Sequence, residues 1–373
     1  MKELLAALDF VTRTLRDDRQ TNTSNTLRAE IISGRPPWES VVSLANNHLL
    51  TPALWVALNE KGLADDLPED LYHYLQELHQ LSCERNRHLR LQLLEAVRQL
   101  NTAGIVPVLL KGAKHLVTAI YRDPGVRIMS DIDLLVSRAD ITPAHNALQQ
   151  LGYQPIEDVH GDYHDEHHHC APLFRDSDYG ALEIHRSLAE SPFDIILPTE
   201  MALTELEPLE VEGVHMTALS TTHRILHNII HSQLIDHHHG NGIIPLRSLH
   251  EMATEHSAAN VNVDWLTIKG QMEQHKRGRV LHAYLFMAHK LFDMPFPVET
   301  RPTLASRLYY RRCRAQLSWR RAQLWGMRLG RYSPDRMNER YGCGSGWLAV
   351  NRSRIRKLTG RISILMNDLT NPS

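Results

Sequence analysis

Paired cysteines, long apolar runs and a net charge of one sign are all missing from this chain of 373 residues. Its four cysteines, Cys83, Cys170, Cys313 and Cys343, are scattered without a C-x-x-C pair, too sparse for a disulfide framework, so a reducing compartment is expected. No stretch approaches the ~18 apolar residues of a membrane span, and the opening MKELLAALDFVTRTLRDDRQ meets Asp9 before any signal-like apolar core. These absences predict a cytoplasmic protein with no membrane span. Internal repeats are lacking, as is the P-loop pattern G-x-x-x-x-G-K-[ST]. The formal charge of −2, from 41 Lys and Arg against 43 Asp and Glu, argues by totals alone against a dedicated binder of polyanions. That balance conceals an asymmetry. Residues 301–373 hold 16 Lys and Arg against three acids, a net +13, which leaves −15 for residues 1–300.

What is present divides the chain by periodicity. Leu4, Leu5, Leu8 and Val11, and later Leu89, Leu93, Leu94, Val97 and Leu100, recur at helical spacing, which predicts an N-terminal helical lobe over residues 1–100. GIVPVLL then predicts a core strand at Ile105–Leu110, followed by a helix in AKHLVTAIY, a second strand in DIDLLV and a helix near Thr142–Leu151. APLFRDSDYGALEIHRSL reads as a hairpin, and PLEVEGVHMTAL as a strand pair turning at Glu212-Gly213. After the N-cap hydroxyls of Ser220, Thr221 and Thr222, the helical period returns in Ile225, Leu226, Ile229, Ile230 and Leu234. Further helices are expected at Pro245–Glu255, Asp264–His275 and Arg279–Phe292. The expected class is α+β: a small mixed β-sheet core over 101–219, flanked by the N-terminal lobe, a helical bundle over 220–300 and an Arg-rich helical extension over 301–373.

Chemistry concentrates in the core. Side chains alternate along a strand, so Asp131 and Asp133 share one face while Ile132, Leu134 and Val136 take the other. Two carboxylates about 7 Å apart at Cα repel unless a cation lies between them, and Mg2+ suits carboxylate, water and phosphate oxygens. By the same alternation, Leu182 and Ile184 are core and Glu183 and His185 face the other way. If that strand lies beside DIDLLV, Asp131, Asp133 and Glu183 converge, enough for the two metals of an in-line phosphoryl transfer. Lys111-Gly112 sits where a strand meets an expected helix start, a place that favours phosphate, with Gly112 allowing close backbone approach.

LLKG, then RIMSDIDLLV, then LEIH together resemble the nucleotidyltransferases of the DNA polymerase β superfamily, specifically the bacterial branch described as uncharacterised nucleotidyltransferases. The resemblance spans roughly residues 35–295 and rests on Lys111, Gly112, Arg127, Asp131, Asp133, Glu183 and His185. In one respect the chain departs from the wider superfamily: Gly112-Ala113 stands where Gly-Gly or Gly-Ser is usual, with Asp131 19 positions after Gly112. The resemblance implies a Mg2+-dependent enzyme, working with two ions during turnover, that moves an NMP, AMP from ATP before other NTPs, onto an acceptor hydroxyl. Asp131, Asp133 and Glu183 are then the catalytic and metal-binding acids, and Lys111, Gly112, Arg127, Ser130 and His185 the nucleotide-binding residues. The acceptor is left open among protein side chains, RNA ends and small hydroxylated metabolites.

Two features fall outside that reading. His164, His167, His168 and His169 form one cluster, His237, His238 and His239 another, and His223, His227 and His231 recur at i, i+4, i+8. Such stacking binds zinc when further ligands are suitably placed, or serves as a polar helix face lining the nucleotide cleft. In the basic tail, arginines interleave with Trp319, Trp325, Tyr332, Tyr341 and Trp347, which suits either pairing with the acidic body or RNA contact. The alternatives are therefore a non-catalytic nucleotide- or RNA-binding module of the same fold and, through His164-Asp165, a metal-dependent phosphohydrolase.

Overall fold

The computed structural model describes residues 2–16, 23–155, 170–258 and 263–318. Its sheet holds seven strands: β1 (Val108–Leu109), β2 (Asp131–Leu135), β3 (Gln154–Pro155), β4 (Leu173–Phe174), β5 (Ala181–His185), β6 (Leu206–Val211) and β7 (Val214–Leu219). Their order is β3-β4-β5-β2-β1-β7-β6, with β2 parallel to β5 and β1 parallel to β7 in an otherwise antiparallel ladder. The protein is thus α+β, a mixed sheet among many helices.

The centre of the sheet follows from alternation. Ile132 and Leu134 on β2 and Leu182 and Ile184 on β5 are fully buried, and they share a core with Leu89, Leu93, Val97 and Leu100 of the long helix Glu69–Thr102. Each such aliphatic side chain contributes about 1.5–3 kcal/mol by leaving water. The β6–β7 hairpin closes where expected: Glu212 and Gly213 both have positive φ, +54° and +72°, the pair of left-handed residues a two-residue hairpin turn demands.

A second core joins the two ends of the described chain. The helices Lys2–Leu15, Trp38–Asn47 and Thr51–Glu60 bury Leu8, Val41 and Leu54 together with Ile229, Leu249 and Leu281 of the helices Thr221–Ile230, Leu246–Ser257 and Gly278–Phe292. Arg16 ties the ends at the surface, 2.7 Å from Asp293. Among the described residues no helix is long and apolar enough to cross a membrane.

Two expected elements differ. The strand foreseen at Ile105–Leu110 contributes only Val108 and Leu109 to the ladder, since Pro107 has no N–H to donate and Lys111 turns the chain out with φ +45°. The helix foreseen in AKHLVTAIY is a single 3-10 turn, Ala113–Leu116. The Lys114 carbonyl accepts from the Val117 and Thr118 N–H groups at 3.2 and 3.1 Å and from the Thr118 hydroxyl at 2.9 Å, but β-branched Val117, Thr118 and Ile120 propagate a helix poorly beyond that turn.

A partly buried ionic layer joins the sheet to the C-terminal helices. Arg127 and Arg247 both reach Oε1 of Glu251, at 2.9 and 3.0 Å, while Arg224 contacts Glu207 at 3.0 Å and Glu255 at 3.3 Å, and Lys114 contacts Glu207 at 2.5 Å. Of the Arg-rich segment, the described helix Leu304–Ser318 lies on Gly278–Phe292, and its Arg314 contacts Asp9 at 3.3 Å. The rest of that segment, with its tryptophans, and the His164–His169 cluster lie outside the described residues.

Candidate active site

The parallel register of β2 and β5 builds the site. Asp131 stands opposite Ala181, Asp133 opposite Glu183 and Leu135 opposite His185, so Asp131, Asp133, Glu183 and His185 share the face turned away from the aliphatic core. β1 lies along the other side of β2, and its exit places Lys111 over the same face: Lys111 Nζ donates to Asp133 Oδ1 at 2.8 Å. His185 Nε2 lies 2.8 Å from that oxygen and 3.6 Å from Glu183 Oε2. A carboxylate oxygen only accepts, so Nε2 carries the proton.

Asp133 is 2 % exposed, the innermost acid of the group. Burial would raise its carboxyl, but the Lys111 charge and the His185 hydrogen bond overcome this and hold it well below the usual range. For Lys111 and His185, burial works to lower each, yet the facing carboxylates win and raise both. Asp131 is shifted the other way: partial burial and the charges of Asp133 and Glu183 raise it, against Lys111 and a 3.1 Å hydrogen bond from Ser130 Oγ.

The donor set fits a hard divalent cation. Oxygens of Asp133 and Glu183 lie within 4.8 Å of one another, beside His185, which donates to Asp133; Asp131 adds a further carboxylate on the same face, and Lys111 is the cation that now balances them.

Gly112 has ordinary helical backbone angles, and the room left by its missing side chain is filled by the guanidinium of Arg127 and by Met129. Arg127 in turn is anchored on Glu251, whose charge outweighs burial and raises the guanidinium further.

Residues the sequence reading passed over hold the approach to β2. The long helix presents His79, Ser82, Cys83 and Asn86, spaced i, i+3, i+4, i+7 on one face, to the loop Asp123–Ser130. Ser82 Oγ donates to Gly125 O at 2.8 Å, Asn86 Nδ2 to Pro124 O and Arg127 O at 2.7 Å each, and Arg85 Nε to Met129 O at 2.5 Å. The visible signal was a polar stripe, H-x-x-S-C-x-x-N, in an otherwise amphipathic helix.

The histidine series is near but separate. His227 is buried and donates to Leu188 O at 2.8 Å; burial, then the charges of His231 and Lys111, lower it to about 3, so the ring is neutral. His231 opens a π-turn, His231–Ile235, and lies 3.3 Å from Asp236. Among the described residues, two groups of three ligating side chains close within 4.8 Å, and neither includes His223, His227 or His231. His239 stacks on Tyr309 with ring centroids 4.4 Å apart.

The mixed sheet thus gathers three acids from adjacent strands and a lysine from the exit of β1. The family model described as uncharacterised nucleotidyltransferase matches residues 35–293, and the chain belongs to that family. Among curated proteins and solved structures, none matches the chain.

Proposed function

We propose that this protein is a Mg2+-dependent nucleotidyltransferase that moves an NMP, AMP from ATP before other NTPs, onto an acceptor hydroxyl and releases pyrophosphate. The observation that carries the reading is the register of Asp133 opposite Glu183, with Asp131 on the same face and Lys111 beside them.

Asp131, Asp133 and Glu183 hold the metal. Bound magnesium supplies positive charge that stabilises the attacking oxygen and the departing pyrophosphate. Ser130 and His185 fix the rotamers of Asp131 and Asp133 through the hydrogen bonds described above. Lys111 and the Gly112 amide hold the triphosphate at the end of β1. Arg127 positions that segment by packing on Gly112 while anchored to Glu251. The acceptor oxygen bonds to the α-phosphorus, its proton passes to the Glu183 carboxylate, and the α–β bridging bond breaks with its electron pair leaving on pyrophosphate. In-line geometry and preorganised charge account for most of such a rate enhancement.

The test is pyrophosphate release by the full chain with Mg2+ and each labelled NTP, in the presence and absence of a cell lysate as acceptor source. Release, or transfer of label, that requires Mg2+ and is lost in the Asp131→Asn/Asp133→Asn double variant is the expected result. Equal signals from wild type and the double variant would overturn the reading.

A further inference from the structure

A second group of ligating side chains lies on the long helix, apart from the acids of β2 and β5. His79 and Cys83 are one turn apart, and Asp123 comes to them from the loop that runs into β2. His79 Nε2 lies 2.8 Å from Asp123 Oδ1 and 3.4 Å from Cys83 Sγ, and Cys83 Sγ lies 3.9 Å from Asp123 Oδ1. We propose that His79, Cys83 and Asp123 form a zinc site that fastens the Asp123–Ser130 loop to the long helix.

The donor set selects the metal. One imidazole, one thiolate and one carboxylate suit zinc, whereas a thiolate is a poor partner for magnesium or calcium. The spacing is close to what tetrahedral zinc needs. Ideal bond lengths place N and O about 3.3 Å apart, N and S about 3.6 Å and S and O about 3.5 Å. Each pair in the structure lies within about 0.5 Å of that, and His79 and Asp123 would separate as their hydrogen bond gives way to metal bonds. Three protein ligands leave the fourth position to water; Asp123 is partly exposed, which gives the ion a route in. Binding requires loss of the Cys83 thiol proton to solvent.

Independent support comes from Gly125. A Cβ there would lie 2.5 Å from Cys83 Sγ and 2.9 Å from His79 Nε2, so only glycine lets the loop close over the ligands. Gly125 N–H also donates to Asp123 Oδ1 at 2.7 Å, the outer hydrogen bond that orients a ligating carboxylate. The site stands one turn before the Asn86 and Arg85 contacts that hold Arg127, Met129 and Ser130, so the ion would restrain the segment leading into Asp131.

The test uses full-length protein freed of metal with a chelator and titrated with Co2+ in the presence of excess Mg2+. One equivalent is expected to produce a thiolate-to-cobalt charge-transfer band in the near ultraviolet, absent in Cys83→Ser, with Zn2+ displacing the cobalt. His79→Gln and Asp123→Asn keep side-chain volume, and each should weaken cobalt binding by about tenfold or more. These two variants decide the matter if Cys83→Ser fails to fold. No band in wild type, a band that persists in folded Cys83→Ser, or unchanged affinity in both His79→Gln and Asp123→Asn would each overturn the proposal.

Discussion

Gly112 lies directly beneath Arg127: a Cβ at Gly112 would come to 2.0 Å from Arg127 Nη1 and 2.6 Å from its Cζ. The glycine is required by a side chain of its own protein, one that Glu251 holds in place from the opposite side. Gly112→Ala therefore forces a buried guanidinium off its carboxylate or distorts the turn after β1, and overpacking of this kind costs about 1–3 kcal/mol. Urea unfolding should show that loss. In a double-mutant cycle with Arg127→Met the two effects should not add, because the shorter, uncharged side chain relieves the clash; additive effects would mean that the two residues do not touch.

Lys111 supplies positive charge where Asp133 is most buried, and in the proposed reaction it also meets the triphosphate. Lys111→Met should lower NTP-dependent pyrophosphate release by about 10²- to 10³-fold, the scale of removing one preorganised charge from a site of developing negative charge. Lys111→Arg should recover little, since a planar fork does not substitute for a compact ammonium on a single oxygen. Near-normal turnover in Lys111→Met would remove Lys111 from the mechanism.

Asn86 carries the loop that leads into β2, with one amide group donating to two carbonyls, those of Pro124 and Arg127. Asn86→Ala leaves both acceptors without this donor in a part-buried setting, a loss of about 2–3 kcal/mol. Hydrogen exchange should quicken in the amides of residues 123–130 before the sheet is affected. Protection unchanged in that loop would show that Arg85 and Ser82 hold it alone.

The parts legible in the sequence are those where local pattern and tertiary position agree. In DID and LEIH the acids alternate with core residues, so a register that buries Ile132, Leu134, Leu182 and Ile184 together also brings the acids to one face, and Ser220 accepts from the His223 N–H as an N-cap should. The turn at Glu212-Gly213 is legible through Gly213, which takes the left-handed region without a Cβ penalty, while Glu212 is carried into it at φ +54°. What escaped the sequence depends on distance along the chain. Arg127 and Glu251 are 124 residues apart, and nothing near Glu251 distinguishes it from any acid on an amphipathic helix. Lys114, in the short turn after Gly112, is buried against Glu207, 93 residues away. Dense histidines suggest zinc in the sequence, while the group whose ligating atoms close pairs His79 and Cys83 with an aspartate 40 residues on from Cys83.

Glu251 gives the fold a defined acid limit. Burial would raise its carboxyl, but Arg127 and Arg247 prevail and lower it from an ordinary 4.5 to about 2. A depressed carboxyl stabilises the native state above its unfolded value, and the contribution is lost as pH falls from about 4.5 towards 2. A difference of that size corresponds to about 3 kcal/mol. Glu251→Gln removes the charge and leaves two arginines facing a neutral amide, so at pH 7 it should destabilise by about 3–5 kcal/mol, as breaking a buried pair does. Between about pH 4.5 and 2 the unfolded chain takes up this proton while the native carboxylate still resists it, so the wild type loses stability and the gap between the two proteins should narrow. Unfolding midpoints in urea, taken at intervals from pH 7 to pH 3, measure that convergence. Parallel curves with a constant gap would show that Glu251 is not the group whose protonation sets the acid limit.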